Sequence, residues 1–224
     1  MSAMKALVFD LDGTLADSTY QHVLAWQRAF AAAGITIPAV EFHRRIGMDG
    51  NLLIAALDRA FSLRLDPDRR SHLKAQHAEQ FSPMRHDVRL LRDADRIADT
   101  LEPLGIRWAI VTSAPKSDVA TLLDAVRADR ASAVITAEDE TESKPAGHPI
   151  ARAFAKLRVK AHDAAVVGDA VWDMLASREA GSLGVGLLTG GYSREELSAS
   201  GAFRVYQDVA EFLGRLEEIG VQPG

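Results

Sequence analysis

Cysteine is absent from the 224-residue chain. A chain without thiols has no disulfide framework, no thiolate nucleophile and no cysteine-based zinc site. Its seven histidines include no pair at the His-x-x-x-His spacing that binds metal ions on a helix. Neither thiol chemistry nor zinc chemistry is therefore expected.

Excess positive charge and long apolar runs are also lacking. The chain has 26 Lys and Arg against 31 Asp and Glu, a net charge of −5, and no basic cluster interleaved with aromatic side chains, so we expect no nucleic-acid partner. No apolar stretch is long enough to span a bilayer, and residues 1–5 lack a signal-peptide pattern. The 47% of apolar residues is typical of a globular protein, which we expect to be cytoplasmic with no membrane partner.

Two aspartates follow the first apolar run. Residues 7–9 are Leu-Val-Phe without polar alternation, which is typical of a strand buried on both faces of a parallel sheet. An extended strand would point Asp10 and Asp12 to the same side, before the turn at Gly13. Ligands bind at the carboxyl edge of such sheets, and two carboxylates held close together there need a cation, a shared proton or both. Alternatively, these residues only end the strand, because Asp and Gly favour turns.

The run Asp-Leu-Asp-Gly-Thr at 10–14 resembles motif I of the haloacid dehalogenase superfamily, in the form that its phosphatases carry. The resemblance implies that Asp10 is a nucleophile that forms an aspartyl phosphate, and that Asp12 is a general acid and then a base. A carboxylate can accept a phosphoryl group covalently. A second carboxyl group nearby can protonate the leaving alcohol and then activate water.

A second specific motif follows another buried run. Residues 164–167 are apolar, Gly168-Asp169 comes next, and Asp173 follows four residues later, which resembles motif IV, Gly-Asp-x-x-x-Asp. The resemblance implies a bound Mg²⁺, an ion that takes oxygen ligands and retains water. We expect Asp173 to be either a ligand or, as we favour, an acceptor that orients the ligands. The implied metal-site residues are Asp10, Asp12 through its backbone carbonyl, Asp169 and Asp173.

Two less specific signals match the remaining motifs. Residues 107–113 predict a buried strand ending in Thr112 and Ser113, as in motif II, where a hydroxyl and a backbone amide contact phosphate oxygens. Plain turn chemistry is the alternative. Lys144, followed by proline, resembles motif III, whose lysine bridges the nucleophilic carboxylate and the phosphate. The second proline of that motif comes four residues after the first, instead of the usual two.

The periodicity becomes helical between the first two motifs. Apolar residues at helical spacing indicate four helices and no strand over 17–85. Alternation of strands and helices then resumes, with a helix predicted over 93–104. We predict an α/β fold with a Rossmann-like core and a parallel sheet over 1–16 and 86–224, and a small α-helical cap domain, 17–85, inserted after the first strand.

Three cap residues are candidates for substrate binding. His22 lies in a stretch similar to the cap opening of β-phosphoglucomutases, where the matching histidine contacts the sugar phosphate and the acid/base aspartate. Arg45 and Gly47 belong to the loop expected to face the substrate, where an arginine could bind an anionic group and a glycine permits close approach. The alternatives are a helix-surface histidine and an exposed arginine at a helix end.

The motifs in this order predict a magnesium-dependent phosphatase that acts on a small phosphomonoester metabolite such as phosphoglycolate or a sugar phosphate. A sugar-phosphate mutase of the β-phosphoglucomutase type is the alternative; His22 supports it, and the absence of an arginine shortly after Gly47 weakens it. A haloacid dehalogenase needs no Mg²⁺ and normally lacks the second aspartate, and a non-enzymatic phosphorylation switch of the receiver type has no cap. We expect a monomer or a homodimer whose partner is a small phosphorylated metabolite.

Overall fold

The computed structural model describes residues 4–139 and 149–222. In chain order, the strands are β1 Ala6–Asp10, β2 Arg107–Val111, β3 Ala133–Ile135, β4 Ala164–Gly168, β5 Leu183–Leu187 and β6 Ala202–Tyr206. The helices are α1 Thr19–Ala32, α2 Ala39–His43, α3 Gly50–Phe61, α4 Pro67–Phe81, α5 Ile97–Leu101, α6 Lys116–Ala125, α7 Pro149–Leu157, α8 Val171–Glu179, α9 Arg194–Ala199 and α10 Val209–Leu213. In the described ranges, none of them combines the length and the apolar character needed to cross a membrane.

The backbone divides into two compact units. The larger unit contains Met1–Asp17 and Arg89–Gly224, and the smaller contains Ser18–Val88. The described strands of the larger unit form one sheet in the order β3-β2-β1-β4-β5-β6, with every neighbouring pair parallel. The predicted α/β class with a parallel, Rossmann-like sheet is confirmed.

Strand β1 lies in the middle of this sheet and is buried on both faces. Val8 belongs to an apolar cluster with Phe154 of α7, whereas the Phe9 ring meets Trp108 and Phe212 edge to face, with centroids 6.4 and 6.2 Å apart. Because both faces need apolar side chains, the strand has no polar alternation.

The topology creates a ligand-binding edge between β1 and β4. From β1 the chain runs outward to β2 and β3, and then returns to the other side of β1 to form β4. At such a switch point the connections leave in opposite directions, and a crevice opens at the carboxyl ends of the strands. Because β1 ends at Asp10 and β4 ends at Gly168, the two acidic motifs lie on either side of this crevice.

The smaller unit is helical and has its own apolar core. It contains α1 to α4 and a 3₁₀ turn, Ser82–Asp87, and no strand occurs between residues 18 and 88, all of which are described. Trp26 and Phe30 of α1 and Leu53 and Leu57 of α3 are among the buried residues of this core. The four helices predicted from the sequence are all present, and this unit is the segment for which a cap role was predicted.

Helical turns fill 94–104, close to the helix predicted over 93–104, but only the middle of the segment is α-helix. The segment forms only α5, with a short 3₁₀ turn on each side, 94–96 and 102–104. Pro103 explains the early end, because a proline has no N–H to donate to the preceding turn.

A partly buried ion pair in the smaller unit joins α3 to α4. Asp58 is 8% exposed; one carboxylate oxygen accepts from the Leu65 amide at 3.2 Å and the other from the Arg70 guanidinium at 2.6 Å. Burial by itself would raise the pKa of the Asp58 carboxyl group, but these hydrogen bonds outweigh it and lower the pKa below its ordinary value of 3.8.

We expect Asp58→Asn to destabilise the protein at neutral pH and to lose this effect in acid. A carboxyl group with a depressed folded-state pKa stabilises the fold above its unfolded-state pKa, and this contribution disappears as the pH falls through the folded-state value. In urea unfolding, the difference from the wild type should therefore shrink between about pH 7 and about pH 3. Asp68→Asn, at an exposed position of α4, is the control and should change little. An equal loss at both pH values would show that the Asp58 charge is not the cause.

Candidate active site

Three aspartates converge at the switch point. Asp10 ends β1, Asp169 follows β4, and Asp173 lies in the first turn of α8. Each offers a carboxylate oxygen, and these oxygens all lie within 4.8 Å of one another. The structure thus brings together three of the four residues predicted for the metal site. The fourth, Asp12, was expected to contribute its backbone carbonyl.

A motif glycine makes room for one of these carboxylates. Asp173 Oδ2 accepts a hydrogen bond from the Ala170 amide at 3.0 Å, which holds the side chain back towards the end of β4. A Cβ atom at Gly168 would lie only 2.3 Å from Asp173 Cγ. The glycine of Gly-Asp-x-x-x-Asp is therefore required by close packing against the second aspartate of its own motif.

A threonine of motif I holds Asp169. The Thr14 hydroxyl donates to Asp169 Oδ1 at 2.6 Å, and both residues are buried, with 0% and 2% exposure. Our sequence predictions assigned no role to Thr14, although it completes the Asp-x-Asp-Gly-Thr run. The hydroxyl residue at the end of that run is the signal from which its role could have been predicted.

Crowding of negative charge is the main electrostatic feature of the site. Burial raises the pKa of the Asp10 carboxyl group well above its ordinary value, and the charges of the three neighbouring aspartates raise it further. Burial and then the charge of Asp173 raise the pKa of Asp169, against the opposing Thr14 hydrogen bond. Burial raises the pKa of Asp173 to about 6. A cation would offset this repulsion.

The donor set suits Mg²⁺. The converging ligand atoms are all carboxylate oxygens, which hard divalent cations prefer over nitrogen or sulfur ligands. Two or three carboxylates also leave coordination positions for water and for a substrate oxygen, as Mg²⁺ requires. The residues present therefore fit the predicted ion.

Motif II lies beside Asp12. Thr112 follows β2 and is 4% exposed; its hydroxyl lies 3.4 Å from Asp12 Oδ2 and accepts from the Ala114 amide at 3.1 Å. Its own amide donates to the Ile135 carbonyl at 2.9 Å, which fixes the backbone at the end of the strand. Ser113, the next residue, is exposed.

Lys144 lies outside the described residues, which end at 139 and resume at 149. Its predicted place between the nucleophilic carboxylate and the phosphate therefore stays a prediction.

Of the predicted substrate-binding residues of the smaller unit, His22 and Arg45 contact side chains of that same unit. His22 is half-buried, with Nδ1 3.2 Å from His77 Nε2 and its ring stacked on Phe81 at 4.0 Å between centroids. Arg45 donates to the Glu41 carboxylate at 2.8 Å. Gly47 has φ of +95°, a conformation that L side chains rarely adopt. His77 packs in this ring stack, between His22 and Trp26.

Known proteins similar to this chain support the family assignment. Residues 4–181 match the model of a family described as haloacid dehalogenase-like hydrolase. A phosphoglycolate phosphatase of Vibrio vulnificus is 30% identical over 220 residues, 94% of this chain and 95% of that protein. An N-acetylmuramic acid 6-phosphate phosphatase of Pseudomonas aeruginosa is 27% identical over 183 residues, 80% of this chain and 79% of that protein.

A solved structure shows the same fold. The crystal structure of a hydrolase from Pseudomonas syringae superposes with a TM-score of 0.89 at 36% identity, covering 96% of this chain and 99% of that one. The match extends over both units, and the family model spans the aspartates of both acidic motifs. The chain therefore belongs to the haloacid dehalogenase-like hydrolases, as its motifs predicted.

Proposed function

We propose that this enzyme is a magnesium-dependent phosphatase that hydrolyses a small phosphomonoester metabolite through an aspartyl phosphate on Asp10. The observation that carries the proposal is the convergence of Asp10, Asp169 and Asp173 at the switch point, with Asp12 two residues beyond the nucleophile. The phosphatase names of the two curated relatives support the reaction class. Phosphoglycolate and sugar phosphates are the proposed substrate types.

Two aspartates carry the chemistry in this mechanism. A carboxylate oxygen of Asp10 attacks the phosphorus atom in line with the leaving group. The bond from phosphorus to the ester oxygen of the substrate breaks as the Asp12 carboxyl group protonates that ester oxygen, and the alcohol leaves. Asp12, now ionised, then takes a proton from a water molecule that attacks the phosphoryl group. The second attack releases inorganic phosphate and restores the Asp10 carboxylate.

Positive charge is needed to keep Asp10 ionised. Because burial and neighbouring carboxylates raise the pKa of Asp10, its nucleophilic form is costly without a cation nearby. Bound Mg²⁺, held by Asp10, the Asp12 carbonyl, Asp169 and directly or indirectly Asp173, would offset this charge and that of the phosphate. Lys144 is proposed to add a second positive charge beside the phosphate.

Neutral donors and cap residues complete the proposed site. The Thr112 hydroxyl and the Ser113 amide are proposed to bind phosphate oxygens. His22, Arg45 and Gly47 are proposed to select the rest of the substrate. We propose that the enzyme works in the cytoplasm as a monomer or a homodimer.

Phosphate release from a substrate panel tests this function. We expect turnover of at least one of phosphoglycolate, N-acetylmuramic acid 6-phosphate, hexose phosphates and p-nitrophenyl phosphate in the presence of Mg²⁺. Chelation of the metal should abolish turnover, and added Mg²⁺ should restore it, because the carboxylates of the site repel both each other and the substrate. Malachite-green detection of phosphate gives the rates.

Other outcomes would replace the proposal. If no panel member released phosphate while β-glucose 1-phosphate was isomerised, the enzyme would be a mutase. If a phosphoryl group became attached to Asp10 and stayed there, with or without Mg²⁺, a phosphorylation switch would be the better interpretation.

A further inference from the structure

The turn after β5 contacts both acidic motifs. It is a short 3₁₀ segment, Leu188–Gly190, that ends at Gly191, where φ is +86°. Its position next to the end of β4 follows from the strand order, in which β5 is the neighbour of β4.

A threonine of this turn holds the loop that follows Asp12. The Thr189 hydroxyl donates to the Gly13 carbonyl at 2.5 Å across 176 positions of sequence. The Gly13 amide donates to the Ala16 carbonyl at 2.7 Å, and Gly13 itself has φ of +81°. Both polar groups of the Gly13 backbone are thus satisfied, and the turn after Asp12 is fixed from two sides.

The next residue of the turn lies directly against Asp169. Gly190 is buried, and a Cβ atom there would lie 1.8 Å from Asp169 Oδ2 and 2.6 Å from its Cγ. No L side chain fits this space unless Asp169 moves, since real Cβ atoms do not approach other atoms so closely. Unlike Gly191, Gly190 does not have a positive φ, so close approach, and not backbone conformation, is the reason for a glycine.

Both carboxylate oxygens of Asp169 are therefore restrained by neighbouring residues. Thr14 donates to Oδ1 at 2.6 Å, and the backbone of Gly190 closes off the space beside Oδ2. Such restraint matters because Asp169 lies within 4.8 Å of two other carboxylates, which would otherwise push it away. Fixing repelling ligands in advance lowers the cost of arranging them around a cation.

We propose that Thr189 and Gly190 are positioning residues for the divalent cation of this site. Thr189 orients the Asp12–Gly13 turn, whose Asp12 carbonyl is the proposed ligand, and Gly190 keeps Asp169 in place by having no side chain. This inference rests on the proposed function, because it assumes that the carboxylate cluster binds Mg²⁺. Neither residue contacts the substrate in this role.

Mg²⁺ affinity, measured by calorimetry on the metal-free protein without substrate, tests the proposal. Gly190→Ala should weaken binding by about a hundredfold and Thr189→Val by about tenfold, the range found when groups that orient metal ligands are removed. Thr189→Ser keeps the hydroxyl and should bind about as tightly as the wild type. At saturating Mg²⁺, the KM of Thr189→Val should match that of the wild type, because only the metal site is disturbed.

Gly214→Ala is the matched control. Gly214 follows α10 with φ of −76°, and a Cβ atom there would meet only two carbonyl oxygens at an ordinary 3.5 Å. This variant should bind Mg²⁺ like the wild type. If Gly190→Ala fails to fold, as judged by near-ultraviolet circular dichroism, the comparison of Thr189→Val with Thr189→Ser still decides the matter.

The outcomes separate the two proposals. If the wild type binds Mg²⁺ and hydrolyses phosphomonoesters while Thr189→Val and any folded Gly190→Ala bind it equally well, the positioning roles are wrong and the proposed function stands. If the wild type binds no Mg²⁺, the proposed metal dependence fails, and the positioning roles fail with it.

Discussion

Asp10→Asn is expected to abolish phosphatase activity, lowering kcat by about four orders of magnitude or more, as losses of a covalent nucleophile do. An amide oxygen is a poor nucleophile, so no phosphoryl group should become attached to the variant. Phosphate release at saturating Mg²⁺ gives the rate, and intact-protein mass spectrometry after rapid quenching shows whether the phosphoenzyme forms. Asp17→Asn, at an exposed aspartate, should leave both measurements unchanged.

A measurement of the thermal stability of Asp10→Asn distinguishes a loss of activity from a loss of folding. Because the fold raises the pKa of Asp10 well above its ordinary value, ionised Asp10 destabilises the folded state at neutral pH. Asp10→Asn should therefore raise the melting temperature in the absence of Mg²⁺, and Mg²⁺ should stabilise it less than the wild type. Activity within tenfold of the wild type would remove Asp10 from the role of nucleophile.

Sequence patterns were most informative where one physical requirement, such as burial of a strand on both faces, determined the types of several consecutive residues. Strand β1 is buried on both faces, so an uninterrupted apolar run was enough to place it in the centre of a parallel sheet. Asp10 and Asp169 each follow such a run, and the strand order brings the ends of those runs to one crevice.

Sequence patterns did not distinguish α-helix from 3₁₀ turns in a short helical segment, and they failed where the decisive contact was non-local. The segment over 93–104 has helical spacing, but Pro103 and the left-handed Asp93 leave only α5 as an α-helix. The role of Gly190 could not be predicted from the residues next to it in sequence. The residue that excludes a side chain there is Asp169, which lies in the loop after β4. Likewise, nothing in the residues around Thr189 indicates that its hydroxyl bonds Gly13.

Asp12→Asn is expected to separate the two chemical steps. With an alkyl phosphate such as phosphoglycolate, loss of the acid and base should lower kcat by about 10²- to 10⁴-fold, the usual contribution of such a group. With p-nitrophenyl phosphate the leaving phenolate needs no proton, so Asp10 should still be phosphorylated, whereas attack by water should stay slow. The aspartyl phosphate should therefore accumulate.

Rapid-quench kinetics measures this accumulation. Asp12→Asn should release a burst of nitrophenol equal to the enzyme concentration, followed by a slow steady state, and its mass should increase by one phosphoryl group. Asp10→Asn under the same conditions should show neither the burst nor the mass increase, which makes it the matched control.

If Asp12→Asn hydrolysed both substrates at the wild-type rate, the acid and base would have to be another residue. The Thr112 hydroxyl, 3.4 Å from the Asp12 carboxylate, cannot take over, because a neutral hydroxyl holds its proton too tightly to act as a general acid near neutral pH.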